Sequence, residues 1–101
     1  MNRVIVQYKV KEDKAQENIN YIQDVFTALE KSKPDGLRYA SFQLEDGLSF
    51  VHIASIETKD GSNPLPSLEE FKAFTQDIAS RCDEPPVALS ANTIGSYRVF
   101  E

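Results

Sequence analysis

The stretch LRYASFQLEDGLSFVHIASIE, residues 37–57, decides the fold of this chain. Two runs rich in β-branched and aromatic residues flank Asp46-Gly47, which is the strongest short signal for a β-hairpin because glycine takes positive φ without strain. With these two residues as the loop, strands 37–45 and 48–57 are antiparallel and their register is fixed. The register predicts the pairs Glu45 with Leu48, Gln43 with Phe50, Ser41 with His52, Tyr39 with Ala54 and Leu37 with Ile56.

Before this hairpin, the sequence predicts one strand and one helix. Residues 3–10 are rich in β-branched and aromatic residues with alternating faces, which is typical of a strand. Apolar residues three and four positions apart then predict an amphipathic helix from Ala15 to Leu29, opened by Asp13 as its cap. Pro34 prevents this helix from continuing past residues 32–33, because proline disfavours helical geometry in the residue before it.

After the hairpin, the sequence predicts a loop, a second helix and a last strand. Residues 58–66 contain two prolines, a glycine and an asparagine, which indicate a loop; this loop either covers a pocket as a lid or is a plain connection. Ser67 and Glu70 match a capping box at a helix start. The apolar stripe of this helix is Leu68, Phe71, Phe74, Ile78 and Cys82, and residues 83–86 end it. Residues 87–101 return to strand composition, with Gly95 marking a bulge or a close backbone approach.

The order strand, helix, strand, strand, helix, strand is the ferredoxin-like βαββαβ arrangement, an α+β fold. Right-handed crossovers place both helices on one face of a four-stranded antiparallel sheet and leave the other face bare. Both faces of the hairpin are apolar, so the uncovered face exposes large apolar groups and predicts a partner. Because most soluble oligomers are two-fold symmetric, we predict a homodimer through the open sheet face. The two candidate faces are Ala40, Phe42, Leu44, Val51, Ile53 and Leu37, Tyr39, Phe50, Ala54, Ile56.

Composition excludes several classes of function. A length of 101 residues predicts one domain spanning residues 1–101. Sixteen acidic against eleven basic residues give a net charge of -5, which argues against nucleic-acid binding. No stretch is long enough to cross a membrane or to act as a signal peptide, so we expect a soluble cytoplasmic protein. One cysteine and one histidine are too few for a disulfide or a zinc site, and we expect no metal and no cofactor.

The chain resembles a known family over essentially its whole length, from the first strand through the Asp46-Gly47 hairpin to Gly95-Ser-Tyr-Arg98. Three segments are similar to small bacterial members of the antibiotic biosynthesis monooxygenase-like branch of the dimeric α/β-barrel proteins. They are Asn63-Pro-Leu65, Phe71-Lys-Ala-Phe74 and Arg81-Cys-Asp-Glu-Pro-Pro86. The resemblance implies a two-subunit barrel with a pocket in each protomer. It also implies an activity, because characterised relatives oxidise phenols or quinols with O2 without metal or flavin, or cleave haem. Characterised oxygenases of this group generally place an asparagine and a tryptophan in the pocket, and this chain has no tryptophan.

His52, the only histidine, is the candidate catalytic base, because an imidazole can accept a proton from a phenol at neutral pH. On the same hairpin face, Phe50 and Leu37 would shape an apolar pocket, and Tyr39 and Gln43 would orient a substrate oxygen. In the alternative interpretation, His52 is a structural residue bonded to Ser41 inside a dimer interface.

The other candidate residues have structural explanations beside the functional ones. Gln7 is predicted to line the pocket in preference to Tyr8, because it shares a mixed face with Lys9. Asn92 is a further polar candidate on the last strand. Arg98 could hold an anion, although an outer-strand arginine more often prevents edge pairing.

Three functions remain open from the sequence. The first is a cofactor-independent oxygenase of a small phenol or quinol, with His52 as base. The second is a non-enzymatic or stress-related barrel that binds a small aromatic ligand, which the missing tryptophan favours. The third is haem degradation, which would require His52 as the axial ligand.

Overall fold

The computed structural model describes residues 2–99. Its four strands are β1 (Asn2–Val10), β2 (Leu37–Gln43), β3 (Ser49–Ile56) and β4 (Cys82–Ala91), and its two helices are α1 (Ala15–Ser32) and α2 (Glu69–Gln76). Short 3-10 turns lie at Glu12–Lys14, Leu65–Ser67 and Ile78–Arg81. The strands form one antiparallel sheet in the order β2-β3-β1-β4. The predicted ferredoxin-like α+β arrangement is confirmed.

The β2–β3 hairpin has the predicted register but a different turn. Gln43 pairs with Phe50, Ser41 with His52, Tyr39 with Ala54 and Leu37 with Ile56. The Gly47 amide donates to the Leu44 carbonyl at 3.0 Å, so Glu45 and Asp46 form the centre of the turn. Gly47 has a φ of +75°, whereas Asp46 keeps negative φ and accepts bonds from the backbone amides of Leu48 and Ser49. These bonds replace the predicted pairing next to the turn, and both strands are therefore shorter than predicted.

The helices cover the sheet face that carries His52. The core beneath this face contains residues of both helices together with the strand residues Tyr8, Val10, Phe50, Ala54 and Ile56. The opposite face stays uncovered by any helix within residues 2–99, and we call it the open face. Four of its large apolar side chains are roughly half exposed: Phe42, Leu44, Val87 and Leu89. The structure thus decides between the two candidate faces: Leu37 and Phe50 belong to the helix side.

The ends of both helices differ from the sequence prediction. Asp13 lies in a 3-10 turn and caps nothing, since α1 begins without a side-chain cap. The Ser67 hydroxyl donates to the Pro64 carbonyl, so the predicted capping box does not form. Helix α2 ends at Gln76, and the Arg81 guanidinium donates to the Phe74 carbonyl at 2.7 Å, which gives one of the last carbonyls of the helix a partner.

The last strand is also displaced along the chain from its prediction. Cys82, which the apolar stripe predicts to be part of the second helix, is buried as the first residue of β4. Pro85 and Pro86 lie within β4, which is an edge strand, and the pairing with β1 shifts register beside them. The strand ends at Ala91, so the predicted strand over 87–101 is wrong beyond that residue. Gly95 lies after the strand, and residues 100–101 of the prediction fall outside the described residues.

Residues 92–99 return toward the other side of the sheet without regular structure. The Val99 carbonyl accepts a bond from the Arg38 guanidinium on β2 at 3.3 Å, so this segment joins the two edges of the sheet. Ile94 and Tyr97 on it are largely exposed. Among the helices of residues 2–99, none is long and apolar enough to cross a membrane.

Candidate functional site

The candidate site is centred on His52, which projects from β3 between the sheet and the helices. Its register neighbours are Val6 on β1 and Ser41 on β2, as antiparallel pairing requires. The side chain is 3% exposed. The rings of Tyr8 and Tyr39 stack on either side of the imidazole with centroids 5.3 and 5.9 Å away, and Phe74 of α2 lies 5.5 Å away. The imidazole is therefore fixed among aromatic rings.

Both nitrogens of His52 have hydrogen-bond partners. The Tyr8 hydroxyl lies 2.7 Å from Nε2. The Ser41 hydroxyl lies 2.6 Å from Nδ1, and the Tyr39 hydroxyl is a more distant neighbour of the same nitrogen at 3.2 Å. The predicted contact between His52 and Ser41 is present, but it lies on the helix-covered face.

A second set of polar residues extends this network into the core. The Asn18 side chain, fully buried on α1, donates from Nδ2 to the Tyr8 hydroxyl at 2.9 Å. Arg81, which is 3% exposed, approaches the Asn18 carbonyl oxygen at 3.4 Å. Its guanidinium also lies 4.5 Å from the centre of the Tyr21 ring, an arrangement that stabilises a buried cation.

Burial keeps His52, Tyr8 and Tyr39 neutral at pH 7. Desolvation lowers the pKa of His52 from its ordinary value of 6.5 to about 4. Desolvation also raises the pKa of Tyr39 to about 12, and it raises the pKa of Tyr8 further. An uncharged imidazole between neutral phenols can accept or pass a proton but holds no permanent charge.

An apolar cavity of about 200 Å³ adjoins the network between the sheet and α2. The polar residues among those that line it are Tyr8, Tyr39, His52, Asn63 and Thr75. The rest of the wall is aliphatic, aromatic or proline: Val4, Val6, Ala54, Ile56, Leu65, Phe71, Phe74, Ile78 and Pro86. The loop before α2 thus supplies two lining residues, Asn63 and Leu65.

The structure brings together some of the predicted site residues. His52 and Tyr39 both line the cavity. Phe50 lies on the same face and is buried, but it packs on the Tyr8 ring, 5.6 Å between centroids, and does not reach the cavity. Gln43 lies at the hairpin end, is exposed, and donates to the Gly47 carbonyl at 3.0 Å.

Two predicted pocket residues lie elsewhere. Gln7 is exposed and points to the open face, because alternate residues of a strand face opposite sides and its neighbour Tyr8 faces His52. Tyr8 rather than Gln7 therefore lines the cavity. Asn92 follows the end of β4, is exposed, and does not line the cavity. Its predicted place on a strand is wrong because the strand stops at Ala91.

Sequence reasoning missed Tyr8, Asn18 and Arg81. Asn18 carried a usable signal, because it lies three residues after Ala15 and four before Ile22, inside the apolar stripe of α1. A polar residue in such a stripe predicts a buried hydrogen bond. Arg81 carried no such signal, since an arginine near a helix end is ordinarily solvated. Within residues 2–99, no group of three His, Cys, Asp or Glu side chains could hold a metal ion.

Comparison with known proteins supports the fold. No protein-family model matches the sequence, and no curated protein matches it. A candidate antibiotic biosynthesis monooxygenase from Nitrosomonas europaea is similar with a TM-score of 0.74 at 17% identity, over 92% of this chain and 89% of the other. Rv0793 from Mycobacterium tuberculosis is similar with a TM-score of 0.75 at 12% identity, over 94% of this chain and 96% of the other. A variant of SnoaB, a cofactor-independent oxygenase from Streptomyces nogalater, is similar with a TM-score of 0.69 at 11% identity, over 96% of each chain.

These identities establish the fold alone. The chain has the fold of the antibiotic biosynthesis monooxygenase-like proteins, as the resemblance in its sequence implied.

Proposed function

We propose that this protein binds a single-ring phenol or quinol in the cavity beside His52 and promotes its reaction with O2 without a cofactor. The observation that carries this proposal is an apolar cavity whose lining includes Tyr8, Tyr39 and His52, with both tyrosine hydroxyls bonded to the imidazole. Apolar walls accept an aromatic ring, and a small number of polar groups orients it.

The size of the cavity supports a small substrate. A dry cavity of roughly 150 Å³ can hold benzene, so about 200 Å³ accommodates one substituted ring. Pockets for drug-sized molecules begin near ~300 Å³. We therefore expect single-ring substrates to be preferred over fused-ring ones. Haem is larger still, and both nitrogens of His52 are already bonded, so haem degradation is the least supported of the three functions.

The proposed reaction balances without an external reductant. A quinol and O2 give a hydroxyquinone and water, and the quinol itself supplies all four electrons that O2 accepts. One oxygen atom forms the new carbon–oxygen bond and the other leaves in water. The protein must orient the ring, exclude bulk water and remove the proton of the phenolic hydroxyl so that the ring becomes electron-rich.

Removing that proton is costly but feasible. A phenol has a pKa near ~10, and the pKa of His52 is about 4. A difference of about six pKa units corresponds to roughly 8 kcal/mol at ~1.36 kcal/mol per unit. A turnover of one per second allows a total barrier of roughly 17 kcal/mol, so proton transfer toward His52 leaves room for the chemical step.

The likeness to SnoaB supports this proposal, since that protein is named as a cofactor-independent oxygenase. A second candidate function is binding of a small aromatic molecule without turnover. It is favoured by the two hydrogen bonds that already occupy both nitrogens of His52, which leave no ring nitrogen free to face a ligand directly.

We also propose that two copies of the chain pair through their open faces. Phe42, Leu44, Val87 and Leu89 are roughly half exposed on this face. A second copy would cover the same surface on both protomers in one symmetric interface. The dimeric barrel that the sequence resemblance implies agrees with this arrangement.

Oxygen uptake with a panel of quinols tests the proposed function. We expect purified protein to consume O2 with hydroquinone and methylhydroquinone faster than buffer alone, and to incorporate one ¹⁸O atom from ¹⁸O2 into the product. His52→Gln should reduce uptake by at least a hundredfold, in line with the roughly 10²–10⁴-fold contribution of general base catalysis. Asn92→Ala, outside the cavity, is the matched control and should keep the rate.

Two other results would redirect the interpretation. Saturable binding of these quinols without uptake above the buffer rate would favour the second candidate function. Uptake that persists unchanged in His52→Gln would remove His52 from the mechanism and contradict the proposal.

A further inference from the structure

We propose that Asn18, held in place by Arg81, sets the direction of the hydrogen bonds through His52 and makes the imidazole a one-way proton path from the cavity to Ser41. The direction of the bonds is a property of the chain without any ligand. Only the entry of a substrate proton into the path rests on the proposed function.

The orientation of the Asn18 amide is fixed by Arg81. Arginine has N–H donors and no acceptor, so the group facing it must be an oxygen. The guanidinium of Arg81 is fixed by its bond to the Phe74 carbonyl and by the Tyr21 ring beneath it. Its Nη2 lies 3.4 Å from Asn18 Oδ1. The amide nitrogen of Asn18 therefore points the other way, toward Tyr8.

The Asn18 amide in turn fixes the direction of the Tyr8 hydroxyl. Asn18 Nδ2 donates to this oxygen at 2.9 Å. A phenol has a single hydrogen, and it cannot be directed at a nitrogen that is itself donating. The other close polar neighbour of the hydroxyl is His52 Nε2 at 2.7 Å. Tyr8 therefore donates to Nε2, and this nitrogen carries no proton.

The Tyr8 hydroxyl then fixes the tautomer of the imidazole. A neutral histidine carries one ring hydrogen, and with Nε2 as acceptor that hydrogen is on Nδ1. It points to the Ser41 hydroxyl at 2.6 Å, with the Tyr39 hydroxyl at 3.2 Å. Because the Ser41 oxygen accepts this bond, its own hydrogen is available to another acceptor. Ser41 is half-buried and lines a separate shallow groove with Ile19, Ile22 and Gln43.

The resulting path moves one proton without creating an imidazolium ion. A phenolic substrate in the cavity donates to the remaining lone pair of the Tyr8 oxygen, Tyr8 passes its proton to Nε2, and Nδ1 releases its proton to Ser41. Ser41 in turn gives its own hydrogen to water. One proton leaves the substrate and one reaches solvent, while no electron or heavy atom moves. The imidazole ends as the other neutral tautomer, and Tyr8 then donates to the substrate anion.

In this scheme Tyr8 is the catalytic residue that touches substrate, and Asn18 and Arg81 are positioning residues. The path also explains how a histidine that resists protonation can still serve proton transfer, because it gives up one proton as it takes another.

Nitrogen-15 NMR of the imidazole, with protein labelled in histidine, tests the direction. His52 is the only histidine, so its two ring nitrogens are observed without overlap. In the wild-type protein at pH 7 we expect the Nδ1–H tautomer. Asn18→Asp should reverse the bonds, because its carboxylate accepts the Tyr8 hydrogen, Tyr8 then accepts from Nε2–H, and Ser41 donates to Nδ1. The expected signature is a switch to the Nε2–H tautomer.

Asn92→Asp makes the same chemical change outside the network and should keep the wild-type tautomer. An Nε2–H tautomer in the wild-type protein would overturn the proposal, and this measurement does not depend on any variant folding. A folded Asn18→Asp protein that keeps the Nδ1–H tautomer would overturn the role of Asn18.

The path and the proposed function fail in distinguishable ways. An Nδ1–H tautomer in a protein that never consumes O2 would support the direction of the bonds and contradict the function. If O2 uptake is present, Ser41→Ala should lower kcat by about tenfold, a part of the usual general-base contribution, with KM unchanged and with a larger solvent isotope effect. An unchanged kcat in this variant would exclude Ser41 as the exit.

Discussion

The protonation of His52 couples the stability of the fold to pH. In the folded chain the pKa of His52 is about 4, and in the unfolded chain it returns to 6.5. Between these values the unfolded chain binds a proton that the folded chain does not. The free energy of unfolding therefore falls as the pH drops from 6.5 to 4, and the whole contribution is retained above pH 6.5.

We predict that lowering the pH from 7.5 to 4.5 costs the wild-type protein roughly 2–3 kcal/mol of stability through His52, at ~1.36 kcal/mol per pKa unit. His52→Gln should remove this dependence, because glutamine does not titrate. Urea unfolding of both proteins at the two pH values measures the difference. Equal slopes in both would contradict burial of a neutral imidazole.

Acidic residues do not obscure this comparison. Hydrogen bonds to Ser49 hold the pKa of Asp46 at about 2, and hydrogen bonds to neighbouring hydroxyls lower the pKa of Glu57 and Asp60 as well. Such carboxylates contribute stability that is lost as the pH falls from their ordinary pKa values of 3.8 and 4.5 toward their lower folded values. They are also present in both proteins, so they cancel in the difference.

Half of the His52 network could be predicted from the sequence. The hairpin register alone places Ser41 beside His52 and puts Tyr39 on the same face, because pairing in a short hairpin is determined by local residues. The contacts with Tyr8 and Asn18 could not be predicted in this way. They depend on how β1 pairs with β3 and how α1 packs on the sheet, and no local pattern specifies those distances.

At the scale of elements, the connection from α1 to β2 depends on a close approach of two backbones. Gly36 has a φ of +75°, and a Cβ atom there would lie 2.8 Å from the backbone of Thr58. The Gly36 carbonyl also accepts the Glu57 amide at 2.7 Å. This contact anchors the start of the hairpin to the loop that follows β3, so the position has no space for a side chain.

Gly61 offers a matched control for a substitution at Gly36. Its φ is +77°, but a Cβ atom would meet nothing within 4 Å. We predict that Gly61→Ala costs about 1–2 kcal/mol, the usual penalty of left-handed backbone, and that Gly36→Ala costs roughly 1–3 kcal/mol more through overpacking. Thermal unfolding of the two variants measures this difference. Equal losses would show that the Thr58 contact relaxes freely.

The second helix shows where prediction of elements failed. Its apolar stripe continues in the sequence from Phe74 through Ile78 to Cys82, and this spacing predicts one helix. The structure instead breaks it into α2, a 3-10 turn and the start of β4. Where the helix ends, the Arg81 guanidinium bonds to the Phe74 carbonyl, and periodicity carries no information about such contacts.

At the scale of the whole molecule, the open face determines the oligomeric state that we propose. Phe42 lies on β2 with about half of its side chain exposed. We predict that Phe42→Asp converts the wild-type dimer to a monomer, because it places a charge in the apolar interface. Light scattering after gel filtration would then report the 11.4 kDa mass of one chain instead of twice that mass.

Gln23→Asp on the exposed side of α1 adds the same charge away from this face and should remain dimeric. A wild-type protein that is monomeric at high concentration, or a dimer that survives Phe42→Asp, would show that the open face is not the interface.

The two edges of the sheet differ in their capacity for strand addition. In β4, Pro85 and Pro86 both lack an N–H group. Neighbouring residues of a strand direct their amides to opposite edges, so one missing donor falls on the outward edge. A strand adding there would find an interrupted ladder. The other edge, β2, contains no proline and is rich in aromatic and aliphatic residues. Fibril growth from a partly unfolded chain is therefore expected to begin at β2. Resistance to amyloid formation then depends on how well other chains are prevented from pairing with that edge.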